Sequence, residues 1–99
     1  MIFAILNEAA ERGELILVPD GLCRWHRRRD GVVVIREILV LPFRRHTGVG
    51  RQLVMNVRER NPGARVMARC PESYPANEFW ESLGFRMERQ ANGVKEWLS

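Results

Sequence analysis

The chain has 99 residues, of which 45% are hydrophobic and 28% charged, with a net charge of +4. This length holds one folded unit without a second module, and the apolar content is too high for intrinsic disorder. The longest apolar run is broken by Arg36 and Glu37 and the first residues carry no basic leader, so neither a membrane span nor a signal peptide is expected, and a cytoplasmic location follows.

The positive balance raises a nucleic-acid or other polyanionic partner, but all of the 16 basic residues except Lys95 are arginine, a bias that an arginine-rich genome produces equally well. Cys23 and Cys70 form no CxxC and have no clustered histidines. No metal site is therefore expected, and both read as small buried hydrophobes in a reducing compartment.

Residues 2–12 set Ile2, Ile5, Leu6, Ala9 and Ala10 on one face, space Glu8 and Arg12 one turn apart and end at Gly13, which predicts a short amphipathic helix. ELILV at 14–18 reads as a buried strand and Asp20-Gly21 as a two-residue hairpin turn. LCRWHRRR at 22–29 alternates weakly, with Trp25 on the core side and His26 among arginines. Asp30-Gly31 turns it into VVVIREILVL at 32–41, completing a three-stranded antiparallel meander.

After Pro42 the period changes. Val49, Leu53, Val54 and Val57 predict a helix that stops at Asn61-Pro62-Gly63. ARVMARC at 64–70 follows as a strand, so residues 32–70 form a right-handed βαβ unit with parallel strands. Pro71 and Pro75 bound a loop, ANEFWESLG at 76–84 reads as a short helix, and FRMERQ and VKEWL pair through Asn92-Gly93. The fold class is α/β, of the α+β kind: one domain over residues 1–99, with a mixed sheet of about six strands, a central βαβ unit and three helices.

The stretch PFRRHTGVGRQL, residues 42–53, joins the central strand to the second helix. A helix N-terminus presents unpaired amides and a positive dipole end, which hold an anion without side chains. Gly48 and Gly50 would let the backbone approach that anion closely, and Arg44, Arg45 and Arg51 add charge whose planar forks suit phosphate. The glycines alone fit a tight turn beside solvated arginines equally well. The GxGxxG fingerprint fails because Leu53 holds the third glycine's place, and the Walker pattern is absent, which argues against a nicotinamide or nucleoside triphosphate enzyme.

Glu37, Val40, Pro42, Arg45, Gly48, Gly50 and Leu53 in EILVLPFRRHTGVGRQL resemble the GNAT superfamily of acyl-CoA N-acyltransferases, whose acyl-CoA loop has the form R/Q-x-x-G-x-G/A. A second signature of that superfamily, an aromatic residue closely followed by Gly-Phe, is similar to Phe79-Trp80-Glu81-Ser82-Leu83-Gly84-Phe85. The resemblance covers residues 5–98. It implies acetyl-CoA as the acyl donor, its pyrophosphate on the amides of Arg45, His46, Thr47, Gly48, Val49 and Gly50, with Arg51 adding charge. It further implies that the pantetheine arm runs beside Leu39 and Val40, in a cleft where the strand at 32–41 splays from that at 64–70. The activity implied is an N-acetyltransferase acting on the primary amine of a small molecule or peptide by direct attack, with a main-chain amide near Val40 polarising the thioester carbonyl.

The match has departures. GNAT domains usually begin with a strand and a further helix that help enclose the acceptor. Read this way, the chain lacks both, which leaves the acceptor site open or completed by a second copy, and leaves the ELILV edge for a homodimer to cover. Many members have a tyrosine at the place of Trp80, where it protonates the leaving thiolate; an indole N–H does not release its proton at neutral pH. A thiol is a tolerable leaving group even unassisted, the deficit at pH 7 being roughly 2 kcal/mol.

Tyr74 reads as a substitute acid or as a packing aromatic. The family asparagine falls where Ser73 stands, and Asn77 reads as a cofactor contact or a helix cap. Glu37 is the candidate base for the amine, with an ion pair to Arg24 or Arg28 as the alternative. Cys70 as an acyl carrier is a distant second to direct attack. A coenzyme A-binding module without efficient catalysis is the second functional class. Nucleic-acid binding by RHTGVGRQLVMNVRER comes last, because that helix spends its apolar residues on a core face and gathers its arginines at the ends.

Overall fold

The computed structural model describes residues 2–99. Helix α1 (Ile2–Glu11) leads into strands β1 (Leu15–Val18), β2 (Gly21–Arg27) and β3 (Val33–Val40). A 3₁₀ turn at Pro42–Arg44 precedes α2 (Val49–Arg60), followed by β4 (Val66–Pro71), α3 (Ala76–Ser82), β5 (Arg86–Ala91) and β6 (Val94–Leu98). One six-stranded sheet has the order β1-β2-β3-β4-β6-β5, and β3 and β4 are its parallel pair. The mixed sheet, the βαβ unit and the three helices are those expected. The terminal hairpin folds back so that β6, rather than β5, pairs with β4.

One face of the sheet carries the core. Cys23, Trp25, Val33, Ile35, Val66, Ala68 and Cys70 pack with Leu53, Val54 and Val57 of α2 and Trp80 of α3. Leu53 and Val57 are 0% exposed, and burying each stabilises the fold by about 2 kcal/mol. Helix α1 lies on the other face, where Arg24 and His26 point. Its apolar stripe covers less than its pattern predicts: Ala9 is its buried residue, and Ile2 and Ile5 stay 49% and 41% exposed. The expected Glu8–Arg12 pair is not among the ion pairs of the described residues. No helix among the described residues is long and apolar enough to cross a membrane.

Two turns follow different physics from each other. Asn92 and Gly93 both have positive φ, 54° and 76°, as a tight primed hairpin turn demands. Between β1 and β2 the turn is Pro19-Asp20 instead of Asp20-Gly21, because Gly21 already pairs with Val18 inside the ladder. Gly21 is needed for space: a Cβ there would lie 2.3 Å from the Leu39 carbonyl oxygen.

The feature that shapes the site is a bulge. Trp25 pairs with Ile35 and Arg24 with Glu37, so Arg36 is an extra residue on β3 without a partner on β2. Side chains of Val33 and Ile35 face the core before the bulge, and Ile38 and Val40 pack against it afterwards. The slip of one residue thus keeps the apolar side chains inward while turning both Arg36 and Glu37 to the α1 face.

Candidate active site

Strands β3 and β4 pair at Val33–Val66, Val34–Met67 and Ile35–Ala68, and their ladder stops where the bulge begins. Beyond it they part around a cavity of about 430 Å³. The Leu41 amide donates to the Asp20 carbonyl at 2.8 Å, and Leu39 pairs with Leu22, so these residues turn their backbone groups toward β2. Alternation along the strand then turns the N–H groups of Ile38 and Val40 toward the gap, where β4 has withdrawn. An amide in that position is free to donate to an acyl oxygen.

At the end of β3 the loop into α2 supplies a second set of donors. Gly48, in left-handed conformation with φ 92°, caps the helix without a side-chain bond, and His46 also has positive φ, 64°. Among the described residues, no N–H from His46 to Arg51 donates to a main-chain oxygen outside the helix, and the first helical bond runs from Gln52 to the Gly48 carbonyl at 3.0 Å. Six amides at the positive end of a helix dipole form a cradle for an anion, with exposed Arg45 and Arg51 alongside. The Arg45 amide differs from expectation, since it turns to the Pro42 carbonyl at 3.4 Å. Arg44 is committed elsewhere: its Nε donates to Asp20 Oδ2 at 3.1 Å. Thr47 uses its hydroxyl on the Arg44 carbonyl. The cradle fits a diphosphate, and the splayed strands fit an extended arm leading from it.

Gly50 has a further reason beside the one its spacing suggested. A Cβ there would lie 3.0 Å from the Phe79 ring, so the glycine makes room for α3. Phe79 stands edge-on to Trp80 with centroids 4.9 Å apart, and Trp80 meets Phe85 at 5.1 Å, with the Arg58 guanidinium 5.1 Å from the Phe85 centroid. The two sequence signatures are therefore in contact: the aromatic of one rests on the glycine of the other.

The cavity gathers Glu37, Leu39, Tyr74 and Trp80 in its lining. Glu37 is bound by Arg24, Nη2 to Oε1 at 2.9 Å, while Arg28 pairs with Asp30, so the ion pair and the cleft position hold together. Oε2 of Glu37 has no protein partner among the described residues. Tyr74 is 57% exposed, whereas Trp80 is buried in the core. Ser73 is exposed and outside the cavity lining. His26 leaves the reaction zone, its Nδ1 2.9 Å from Glu14 Oε2. Cys70 lines the cavity, but burial pushes its thiol above the ordinary range, only partly opposed by the Lys95 charge.

Asn77 does not take its expected role as a helix cap. The cap position of α3 belongs to Pro75, and the buried Asn77 amide donates to the carbonyls of Pro71 at 2.9 Å and Tyr74 at 2.8 Å. Its Oδ1 accepts from Trp97 Nε1 at 2.8 Å. Every one of these bonds is internal, so Asn77 ties the 71–74 loop to β6. Sequence reasoning also missed the bulge at Arg36 and the Phe79–Gly50 contact. The bulge had a signal: two successive charges in a central strand, with apolar spacing of three between Ile35 and Ile38 where a regular strand gives two.

Solved structures share this fold at low identity. The PaiA N-acetyltransferase from Thermoplasma acidophilum, in complex with coenzyme A, superposes with a TM-score of 0.80 at 12% identity over 96% of this chain and 68% of its own. The putative streptothricin acetyltransferase from Bacillus anthracis, in complex with acetyl coenzyme A, gives 0.77 at 18% identity over 95% of this chain and 66% of its own. PH1933 from Pyrococcus horikoshii gives 0.67 at 17% identity over 81% of this chain, which spans 57% of that protein. No curated protein sequence matches the chain significantly. The model of the Acetyltransferase (GNAT) domain matches residues 3–87, and with that match over most of its length the chain belongs to the GNAT acetyltransferase family.

Proposed function

We propose that the chain is an N-acetyltransferase that passes the acetyl group of acetyl-CoA to a primary amine by direct attack. The observation that carries this reading is the row of unclaimed amides from His46 to Arg51 at the end of a strand that has parted from its parallel neighbour. Those amides, with Arg45 and Arg51, would hold the diphosphate, and Leu39 and Val40 would border the pantetheine arm. Acetyl-CoA supplies an activated acyl group when bound. The amides of Ile38 and Val40 are placed to stabilise charge on its carbonyl oxygen.

Glu37 receives the proton of the attacking amine through Oε2, while Arg24 holds the carboxylate in place through Oε1. Trp80 contributes shape and no proton. The exposed Tyr74 hydroxyl is the group at the cleft able to protonate the departing thiolate. Cys70 carries no acyl group, because the raised thiol leaves little thiolate for attack. The free edge of β1 has four uncharged apolar residues, and a second copy pairing along it would make a homodimer. Two free, buried cysteines suit a cytoplasmic setting.

The ion pair between Arg24 and Glu37 favours a second reading, a coenzyme A-binding module whose carboxylate is too firmly held for turnover. Calorimetry with coenzyme A and release of free thiol from acetyl-CoA in the presence of amines separate the two. Binding with thiol release supports the enzyme, and binding without release for any amine supports the module. No binding at millimolar coenzyme refutes both.

A further inference from the structure

We infer that the acceptor is a small primary monoamine with an apolar body next to its nitrogen, an alkyl- or arylalkylamine. This rests on the acyltransferase reading and adds the acceptor class to it. The cavity takes its lining from both faces of the sheet: Ile38, Cys70 and Trp80 from the core face, and Leu22, Leu39, Ile2 and Leu6 from the α1 face. The anion cradle opens beside α2, on the core face, so the donor arm enters there and the opposite mouth is left for the amine.

One wall of that mouth is apolar. Leu22 of β2 and Leu39 of β3 are register partners, and Leu17 of β1 continues the same row as the partner of Leu22. Leu17 is 68% and Leu39 52% exposed, a run of leucines across three strands that a lone soluble domain does not need. The apolar stripe of α1 meets this row through Ile2 and Leu6, which explains why that helix leaves so much of its stripe uncovered. The bulge sets Glu37 at the inner end of the row.

Charge then separates the amine classes. The ionised groups lining the cavity are Arg36, Glu37 and Arg69, with Glu37 held by Arg24 and Arg69 by Glu96 at 3.1 Å. One carboxylate oxygen, Oε2 of Glu37, is open to a nitrogen, and Arg36 has no acidic partner among the ion pairs of the described residues. A polyamine or aminoglycoside brings further ammonium groups that would meet Arg36 without a counter-charge. A monoamine uses the single acceptor and covers the leucines with its body.

The test is thiol release from acetyl-CoA by the full chain with propylamine, butylamine, pentylamine, hexylamine and phenethylamine, against spermidine, kanamycin and a free-N-terminal tetrapeptide. The expected result is a kcat/KM that rises up to about fourfold with each methylene until the mouth is filled, with the polycations at least tenfold below hexylamine. Leu22→Glu should lower hexylamine turnover at least tenfold and leave the calorimetric Kd for coenzyme A unchanged. The wild-type series stands by itself should that variant not fold. Faster turnover of spermidine, kanamycin or the tetrapeptide than of hexylamine, or no rise along the series, overturns the acceptor class while leaving the enzyme reading intact. Failure to bind coenzyme A, or binding without release for every amine, overturns both.

Discussion

Gly48 and Gly50 stand two residues apart, and each resists substitution for its own reason. At Gly48 the backbone is left-handed and nothing lies near a Cβ, so a side chain there costs about 1–2 kcal/mol of strain without any clash. At Gly50 the space is already filled by Phe79. Gly50→Ala should therefore lower stability by about 1 kcal/mol in denaturant unfolding, and Phe79→Leu in the same chain should recover part of the loss, because overpacking is relieved by trimming the neighbour. Additive losses in the double variant would refute the contact.

Cys23 gives a pH signature at the same scale. Burial raises its thiol from 9.0 to about 12 in the folded chain. Above pH 9.0 the unfolded chain releases this proton and the folded chain retains it, so the stabilisation is complete below that pH and is lost as pH climbs toward 12. Urea midpoints measured between pH 8 and 11 should fall, and Cys23→Ala should flatten the decline. An identical slope in the variant would place the alkaline loss elsewhere.

At the scale of elements, the bulge on β3 connects sequence to site. Deleting Arg36 restores strict alternation with Ile38 and Val40 still on the core face, so the deletion should keep a cooperative transition by circular dichroism while removing the irregularity at which β3 parts from β4, and should weaken coenzyme A binding by calorimetry. A deletion variant that binds coenzyme A as the wild type does would show that the bulge does not hold the strands apart. The strands and helices were legible because their signals are local: Asn92-Gly93 for the last hairpin, Asn61-Pro62-Gly63 for the end of α2, and the change of period after Pro42. The loop that leads into α2 was legible as a family motif.

What escaped the sequence was contact between distant segments. Nothing near Gly50 announces Phe79, and nothing near Asn77 announces the Trp97 indole that claims its oxygen. The Glu37 carboxylate had two arginines at equally plausible spacings. Only the register of β2 against β3 picks Arg24. The row from Leu17 through Leu22 to Leu39 likewise belongs to three strands at once, so no single stretch of chain reveals it.

For the whole molecule, the two edges of the sheet are unlike. Strand β5 is studded with Arg86, Glu88 and Arg89, charges that discourage pairing with another edge, whereas β1 reads Leu-Ile-Leu-Val. Ladder geometry turns Ile16 toward Cys23 and leaves the backbone groups of Leu15 and Leu17 facing outward, a self-complementary pair for an antiparallel copy. Sedimentation at tens of micromolar should show a dimer, and Leu17→Lys should give a monomer of unchanged secondary structure. A wild-type monomer at that concentration would remove the dimer.

The stack that runs from Gly50 through Phe79 to Trp80 has an optical consequence. Trp80 sits one ring away from the helix start whose amides form the cradle, while Trp97 is pinned by Asn77 and Trp25 is enclosed in the core. Occupancy of the cradle should shift the emission of the first indole and leave the other two as a constant background. On the proposed function the protein carries its own fluorophore for titrating coenzyme A, and Trp80→Phe should silence that response while the calorimetric heat persists.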